Sequence, residues 1–271
     1  MPDRLPVVSF LSDYGLADEF VGVCKAVILG IAPHVTVVDI THDVAPQDVR
    51  AGALALVRAV QYLPRGVVLA IVDPGVGTDR RMVAVEVDDG FLVGPDNGLL
   101  APAVAMVGGA RTVVSLTSEA HRLDAPGPTF AGRDVMAPAA AYLAAGTPLT
   151  ELGEVVDPAG LVPALVPLPR DEDDGLAGEV WWVDRFGNCQ LNVGPDELAA
   201  TGARPGETVE LRLGNETRMA RWVHVYADAR PSELVVLVDS YGMVSIALDR
   251  ASAAAACSLR EGSPVTIVKR T

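Results

Sequence analysis

Short apolar runs alternate with helix-spaced segments through the first hundred residues, and then that alternation stops. Residues 7–11, 35–40 and 67–72 are runs of β-forming apolar residues, the first ending in Ser12-Asp13-Tyr14-Gly15. Between them, residues 20–31 carry apolar side chains at helical spacing and stop before Pro33. Residues 48–62 do the same, with Leu54, Val57 and Val60 on the apolar face and Pro64 just beyond. Strand-helix-strand order of this kind implies a mainly parallel sheet with helices over its faces. Residues 82–87 and 91–93 read as a hairpin across Asp88-Asp89-Gly90, and 138–145 as a further short helix.

Past about Pro158 the composition changes. Pro163, Pro167 and Pro169 precede the acidic run Arg170-Asp171-Glu172-Asp173-Asp174-Gly175, which reads as a solvated linker. Only short strand-like pieces follow, at 179–183, 208–213, 234–238, 244–247 and 265–269, separated by turn residues. The expected architecture is an α/β N-terminal domain over residues 1–165, a linker over 166–178, and a small all-β, barrel-like C-terminal domain over 179–271.

Bulk properties exclude several classes of function. A formal net charge of -14 opposes nucleic acid as the main partner, because phosphate binding needs clustered Lys and Arg. Cys24, Cys189 and Cys257 lie far apart and form no CxxC pair, so they read as reduced, intracellular thiols. The lead-in at residues 1–4 does not resemble a signal peptide, and no segment approaches the roughly 18 apolar residues of a membrane span. A soluble cytoplasmic protein is expected.

In open α/β sheets, ligands bind beyond the carboxyl ends of the strands. Asp13, Asp39 and Asp73 fall at or near those ends. Carboxylates there would repel a pyrophosphate, and Gly75-Val76-Gly77 is followed by Arg80 where a dinucleotide fingerprint needs its third glycine. Sugar hydroxyls, ammonium groups or metals suit such an edge better. His34, His42, His121 and His224 show no paired ligand spacing, so no metal is expected. His42 follows a strand end and reads either as a cleft residue or as a locally hydrogen-bonded histidine. There is no G-x-S-x-G elbow. The most informative stretch runs from Val72-Asp73-Pro74-Gly75 to Arg80-Arg81. A strand delivers a carboxylate, a Pro-Gly turn reverses the chain, and Arg80 can return to hold Asp73 ionised.

Taken in order, these motifs resemble the S-adenosyl-L-methionine hydroxide adenosyltransferases, relatives of the fluorinases. The matching stretches are 10–15 with Asp18, Val38-Asp39-Ile40-Thr41-His42, 72–81, 94–100, 129–138 and Phe186-Gly187-Asn188. The resemblance implies attack of water or hydroxide at C5′ of S-adenosylmethionine, releasing adenosine and L-methionine, with no resident cofactor. It implies an Asp-Arg-His set whose Asp is Asp73 and whose Arg is Arg80. The histidine position is Ala131, in Thr129-Phe130-Ala131-Gly132-Arg133-Asp134. Alanine offers no base, so slowed water activation with ligand binding kept is expected, whether the alanine was introduced to study the mechanism or is a natural variant.

The resemblance further implies that Asp13 accepts the ribose hydroxyls, that Asp18 lines the same loop, and that Phe130 and Gly132 are among the substrate-binding residues. Asp184 and Asn188 would hold the methionine ammonium and the adenine edge, with Phe186 packed on adenine and Arg250 and Ala251 touching it. Ser240 would lie near the methionine carboxylate, with Tyr241 where fluorinases carry an arginine. Fluorinases place a tyrosine where Asp73 stands and a serine where Gly132 stands. An anionic Asp73 would repel a halide by roughly 4 kcal/mol at about 4 Å and an effective dielectric near 20, so hydrolysis is favoured over halogenation. The family also implies a homotrimer with sites at subunit interfaces. The competing readings are a non-catalytic S-adenosylmethionine or adenosine binder and a halogenase.

Overall fold

The computed structural model describes residues 5–164 and 167–270. The lead-in at 1–4 and Leu165 and Val166 at the expected boundary lie outside the described residues. The chain divides into two compact units, 1–165 and 166–271. Among the described residues, no helix is long and apolar enough to cross a membrane.

The first unit runs β1 (Val7–Ser12), α1 (Phe20–Ile31), β2 (Thr36–Thr41), α2 (Val49–Val60), β3 (Gly66–Ile71), β4 (Met82–Val87), β5 (Gly90–Pro95), α3 (Ala101–Met106), β6 (Thr112–Ser115), α4 (Ala137–Ala145) and β7 (Glu154–Val156). Its sheet has the order β2-β1-β3-β5-β4-β6-β7. Strands β2, β1, β3 and β5 are parallel neighbours. The hairpin strand β4 is antiparallel to β5, and β6, antiparallel to β4, returns to the common direction. The sheet is therefore mixed with mainly parallel strands. β3 is buried along its whole length, as a central strand covered on both faces should be. α1 and α4 close over it, placing Cys24, Ile28, Ala140 and Leu143 in one core with Phe10, Leu69 and Ile71. α2 starts where the Asp48 carboxylate accepts the Ala51 N–H at 2.8 Å, an N-cap that satisfies one of the free donors of the first turn.

The second unit comprises β8 (Arg170–Glu172), β9 (Gly175–Val183), β10 (Cys189–Leu191), α5 (Pro195–Ala200), β11 (Thr208–Leu213), β12 (Glu216–Trp222), β13 (Leu234–Val238), β14 (Val244–Leu248), α6 (Ala253–Ala256) and β15 (Pro264–Val268). Pairing runs β10-β14-β13-β12-β11-β15-β9, and β9 pairs back to β10, closing a seven-stranded barrel. Its core gathers Leu191, Leu211, Val236, Ile246 and Ile267.

One expectation needs correcting here. Of the linker expected over 166–178, residues 170–178 are not a plain linker, because the acidic run folds into β8 and the turn into β9, with Arg170 opposite Ala177 and Glu172 opposite Gly175. Opposite charges neutralise it: Asp174 pairs with Arg212, and Lys269 lies 2.8 Å from Asp171. A run that looks solvated on its own thus becomes an outer strand of the second unit.

Between β12 and β13, Glu233 accepts Arg221 Nε at 2.9 Å and Nη2 at 2.7 Å, and the Arg230 N–H at 2.8 Å. The Arg221 hydrogen bond, with the Arg230 amide second, holds the Glu233 carboxyl down at about 2, against an ordinary 4.5. The folded state therefore gains from this group above the unfolded pKa and loses the gain as pH falls through the folded value. A Glu233→Gln chain should be less stable than the parent at pH 7, and the difference should shrink between about pH 5 and pH 2. Urea unfolding of both chains across that window checks it.

Candidate active site

Two carboxylates leave the sheet side by side because β1 and β3 are parallel neighbours in register, with Ser12 opposite Ile71. Asp13 follows β1 directly, and its N–H donates to the Ile71 carbonyl at 3.3 Å. Asp73 follows Val72 at the end of β3. The Asn97 amide fixes that end by donating to the Val72 carbonyl at 2.9 Å, while its Oδ1 accepts the Leu99 N–H at 3.2 Å. The stretch 94–100 thus does structural work immediately behind Asp73.

After Asp73 the chain reverses through two turns. The Val76 N–H donates to the Asp73 carbonyl at 3.3 Å and the Thr78 N–H to the Gly75 carbonyl at 3.1 Å. Arg80 returns over Gly75, and its Nε and Nη2 each donate to one Asp73 carboxylate oxygen. Both side chains are nearly buried, at 12% and 7% exposure. A forked guanidinium-carboxylate contact of this kind fixes orientation as well as charge. The next residue, Arg81, is occupied elsewhere, donating to Asp96 at 2.6 and 3.0 Å and to the Gly160 carbonyl.

Asp13 and Asp73 line a pocket of about 650 Å³ in the first unit, with Tyr14, Phe20, Gln47, Phe130, Ala131, Gly132 and Arg133 also on its wall. The wall from 130 onward is a π-helical turn, Gly132–Met136, in which the Arg133 and Asp134 N–H groups both donate to the Phe130 carbonyl at 3.0 Å. Such turns frequently occur at functional sites. Arg133 is paired with Asp134 at 2.5 Å and lies 5.0 Å over the Phe130 ring. One Asp13 oxygen accepts the Gln47 N–H at 2.8 Å. Asp18 is exposed and is not on this wall, since the loop turns it outward while Glu19 and Phe20 take the lining positions.

Asp39 belongs to the scaffold. It accepts Lys25 Nζ at 2.7 Å and bonds His42 Nε2 at 3.0 Å, and His42 Nδ1 meets Ser12 Oγ at 2.7 Å. Burial raises the Asp39 carboxyl, but the Lys25 and His42 hydrogen bonds outweigh that and hold it below its ordinary value. His42 is buried and locally bonded, the second of the two readings above. Its carbonyl accepts the Gly15 N–H at 2.8 Å, and Ser12 Oγ accepts the Tyr14 N–H at 3.3 Å. The chain Asp39-His42-Ser12 therefore holds the backbone on either side of Asp13 and Tyr14. Burial pushes the Cys24 and Cys189 thiols up to about 12, which removes them as nucleophiles.

In the second unit, Phe186, Asn188, Tyr226, Leu248, Arg250 and Ala251 are among the residues around a separate pocket of about 1330 Å³. Phe186 is 79% exposed and presents its ring to solvent. Asp184 organises its own loop, accepting the Phe186 and Asn188 N–H groups at 2.9 Å and the Asn188 side-chain amide at 2.8 Å. Ser240 and Tyr241 are exposed in the β13–β14 turn and do not line this pocket.

Sequence reasoning assigned Tyr14 and Phe20 no role. With Phe130 they form an aromatic cluster, ring centroids 5.2 to 5.7 Å apart. In a chain with only five Phe and five Tyr, Tyr14 and Phe20 flanking one acidic loop were a usable signal.

Comparison with known proteins places this geometry. Residues 8–153 match the SAM hydroxide adenosyltransferase N-terminal domain, and residues 178–266 match the C-terminal domain. A protein named (R)-S-adenosyl-L-methionine hydrolase from Salinispora tropica is 48% identical over 249 residues, covering 92% of each chain. A fluorinase from Actinoplanes sp. is 31% identical over 294 residues, covering 97% of this chain and 98% of its own. A crystal structure of an uncharacterized conserved protein from Thermotoga maritima superposes with a TM-score of 0.89 at 33% identity, over 96% of this chain and 99% of that one. With both domains matched in order along the sequence, the chain belongs to the SAM hydroxide adenosyltransferase family.

Proposed function

We propose that this protein hydrolyses S-adenosyl-L-methionine to adenosine and L-methionine. The observation that carries the reading is the buried Asp73–Arg80 pair at the end of β3, one strand from Asp13, on the wall of a nucleoside-sized pocket. The identity to a named S-adenosylmethionine hydrolase supports it. The water oxygen bonds to C5′, the C5′–S electron pair passes to sulfur, and the sulfonium leaves as the neutral thioether of methionine. No acid is needed for that departure. The water loses a proton to the Asp73 carboxylate or to solvent. The work left to the protein is to aim the nucleophile and exclude bulk water.

In this reading Asp13 accepts the ribose hydroxyls and Asp73, fixed by Arg80, orients the water. The negative charge of Asp73 disfavours a halide at the same point, which separates the chain from its fluorinase relatives. The (R) sulfonium epimer named for the Salinispora relative is a reasonable first substrate. Phe186, Asn188, Arg250 and Ala251 would take the adenine, and Asp184, Ser240 and Tyr241 the methionine end. No metal or cofactor enters the scheme. These residues belong to the second unit, and a homotrimer that completes each site from neighbouring subunits would bring them to the ligand. Three free cysteines, two of them buried, are consistent with a reducing cytoplasm.

Ala131 supplies no imidazole, so the parent chain should bind S-adenosylmethionine and turn it over slowly. An Ala131→His chain should release adenosine about a hundred- to ten-thousand-fold faster, the usual worth of a general base. Chromatography of adenosine and methionine after incubation with each sulfonium epimer measures this. Equal rates would show the position to be irrelevant, and tight binding with no turnover by either chain would favour a binding protein. If sites are completed between subunits, dilution to monomers should abolish binding, which sedimentation and ligand titration at matched concentrations would reveal.

A further inference from the structure

The Tyr14 side chain carries a hydroxyl that nothing in the scheme above uses. It lines the same pocket as Asp13, Asp73, Ala131 and Gly132. The hydrogen bond Tyr14 makes is through its main-chain N–H, to Ser12 Oγ. Among the described residues its phenol oxygen has no hydrogen-bond partner. The ring cannot swing away freely, since Phe20 and Phe130 pack on it with centroids 5.7 Å distant, and the Asp39-His42-Ser12 chain holds its backbone.

Gly132 records how closely that oxygen approaches the far wall. A Cβ built on Gly132 would lie 2.1 Å from the Tyr14 hydroxyl oxygen and 3.2 Å from Ile71 Cδ1. No side chain fits there while the tyrosine keeps its place. A side chain at 132 would have to displace the hydroxyl. A polar atom held rigidly against a bare backbone, unpaired, in a pocket with an oriented carboxylate, is arranged to meet something that enters the pocket.

We propose that the Tyr14 hydroxyl holds the attacking water, accepting one of its hydrogen bonds while Asp73 accepts the other. The inference rests on the hydrolytic reading and adds a residue to it. Two acceptors on the water's hydrogens leave an oxygen lone pair to face C5′. No proton moves to or from Tyr14. Burial, with Asp13 and Asp73 adding to it, pushes the phenol above its ordinary value, so it stays neutral through the working pH range.

The test compares Tyr14→Phe, Gly132→Ser and the double variant with the parent, measuring adenosine release as kcat and KM with a thermal midpoint for each. Loss of one neutral hydrogen bond to the nucleophile should lower kcat of Tyr14→Phe about tenfold with KM little changed. Gly132→Ser alone should also fall, through collision with the tyrosine. In the double variant a serine hydroxyl enters the vacated space, and kcat should recover above Tyr14→Phe. A Tyr14→Phe, Gly132→Ala control fills the space without a hydroxyl and should not recover. The high-pH limb of the parent's rate should show no break that Tyr14→Phe removes. An unchanged kcat in Tyr14→Phe, a loss carried only by KM, or equal recovery with alanine overturns the role of Tyr14 and leaves the hydrolytic reading standing. If the parent is too slow to measure, the same variants are made in the Ala131→His background. No adenosine from either background overturns the hydrolytic reading and this inference together.

Discussion

Two opposite charges buried together at the end of one strand constrain everything around them. Removing either partner would leave the other unpaired with little exposure to water, so the surroundings must keep both in place. That requirement explains the Pro74-Gly75 reversal, the Arg80 stem lying over Gly75, and the Asn97 amide tied to the Val72 carbonyl just behind. It also explains why α2 and the turn at 94–100 are packed without slack: a methyl on Gly52 would reach Val72 at 2.8 Å and Leu99 at 2.9 Å. The sheet and its cover serve to present one carboxylate with one orientation.

A second system of polar contacts runs alongside. Lys25, Asp39, His42 and Ser12 form a line of hydrogen bonds from the surface to the buried end of β1. The His42 ring is held at both nitrogens, by Ser12 Oγ on one side and by the Asp39 carboxylate on the other, and Ser12 Oγ also accepts the Tyr14 amide. The loop that bears Asp13 and Tyr14 is thus tied to β2 as well as to β1.

Much of this was legible in the residues alone. The seven-residue step from Asp73 to Arg80, broken by Pro74 and Gly75, is a local pattern, and local patterns survive being read in one dimension. The strands β1, β2 and β3 were visible because a parallel strand buried on both faces is a continuous apolar run. β12 was not, because Glu216, Thr217, Arg218 and Met219 are all exposed and blur its alternation. The acidic run at 170–175 misled for a related reason: its partners Arg212 and Lys269 are distant in the chain, so the neutralisation is invisible until the strands are paired. The meeting of Tyr14 with Gly132 is the extreme case, since it depends on a π-helical turn docking beside a strand from the other end of the unit. Asp18 is the reverse case, a motif residue that the fold leaves exposed and off the wall shared by Asp13 and Asp73.

The barrel of the second unit also has a bearing on how the protein behaves before and after folding. A ring of seven strands has consumed its own edges, and the backbone donors and acceptors that could recruit a stray chain are spent on neighbours. Among the described residues one strand remains outside the ring, β8, and it is three residues long and reads Arg-Asp-Glu. A three-residue rim of charged side chains is a poor template for another strand seeking to extend the sheet, so the feature first read as a linker blunts the edge of the second unit.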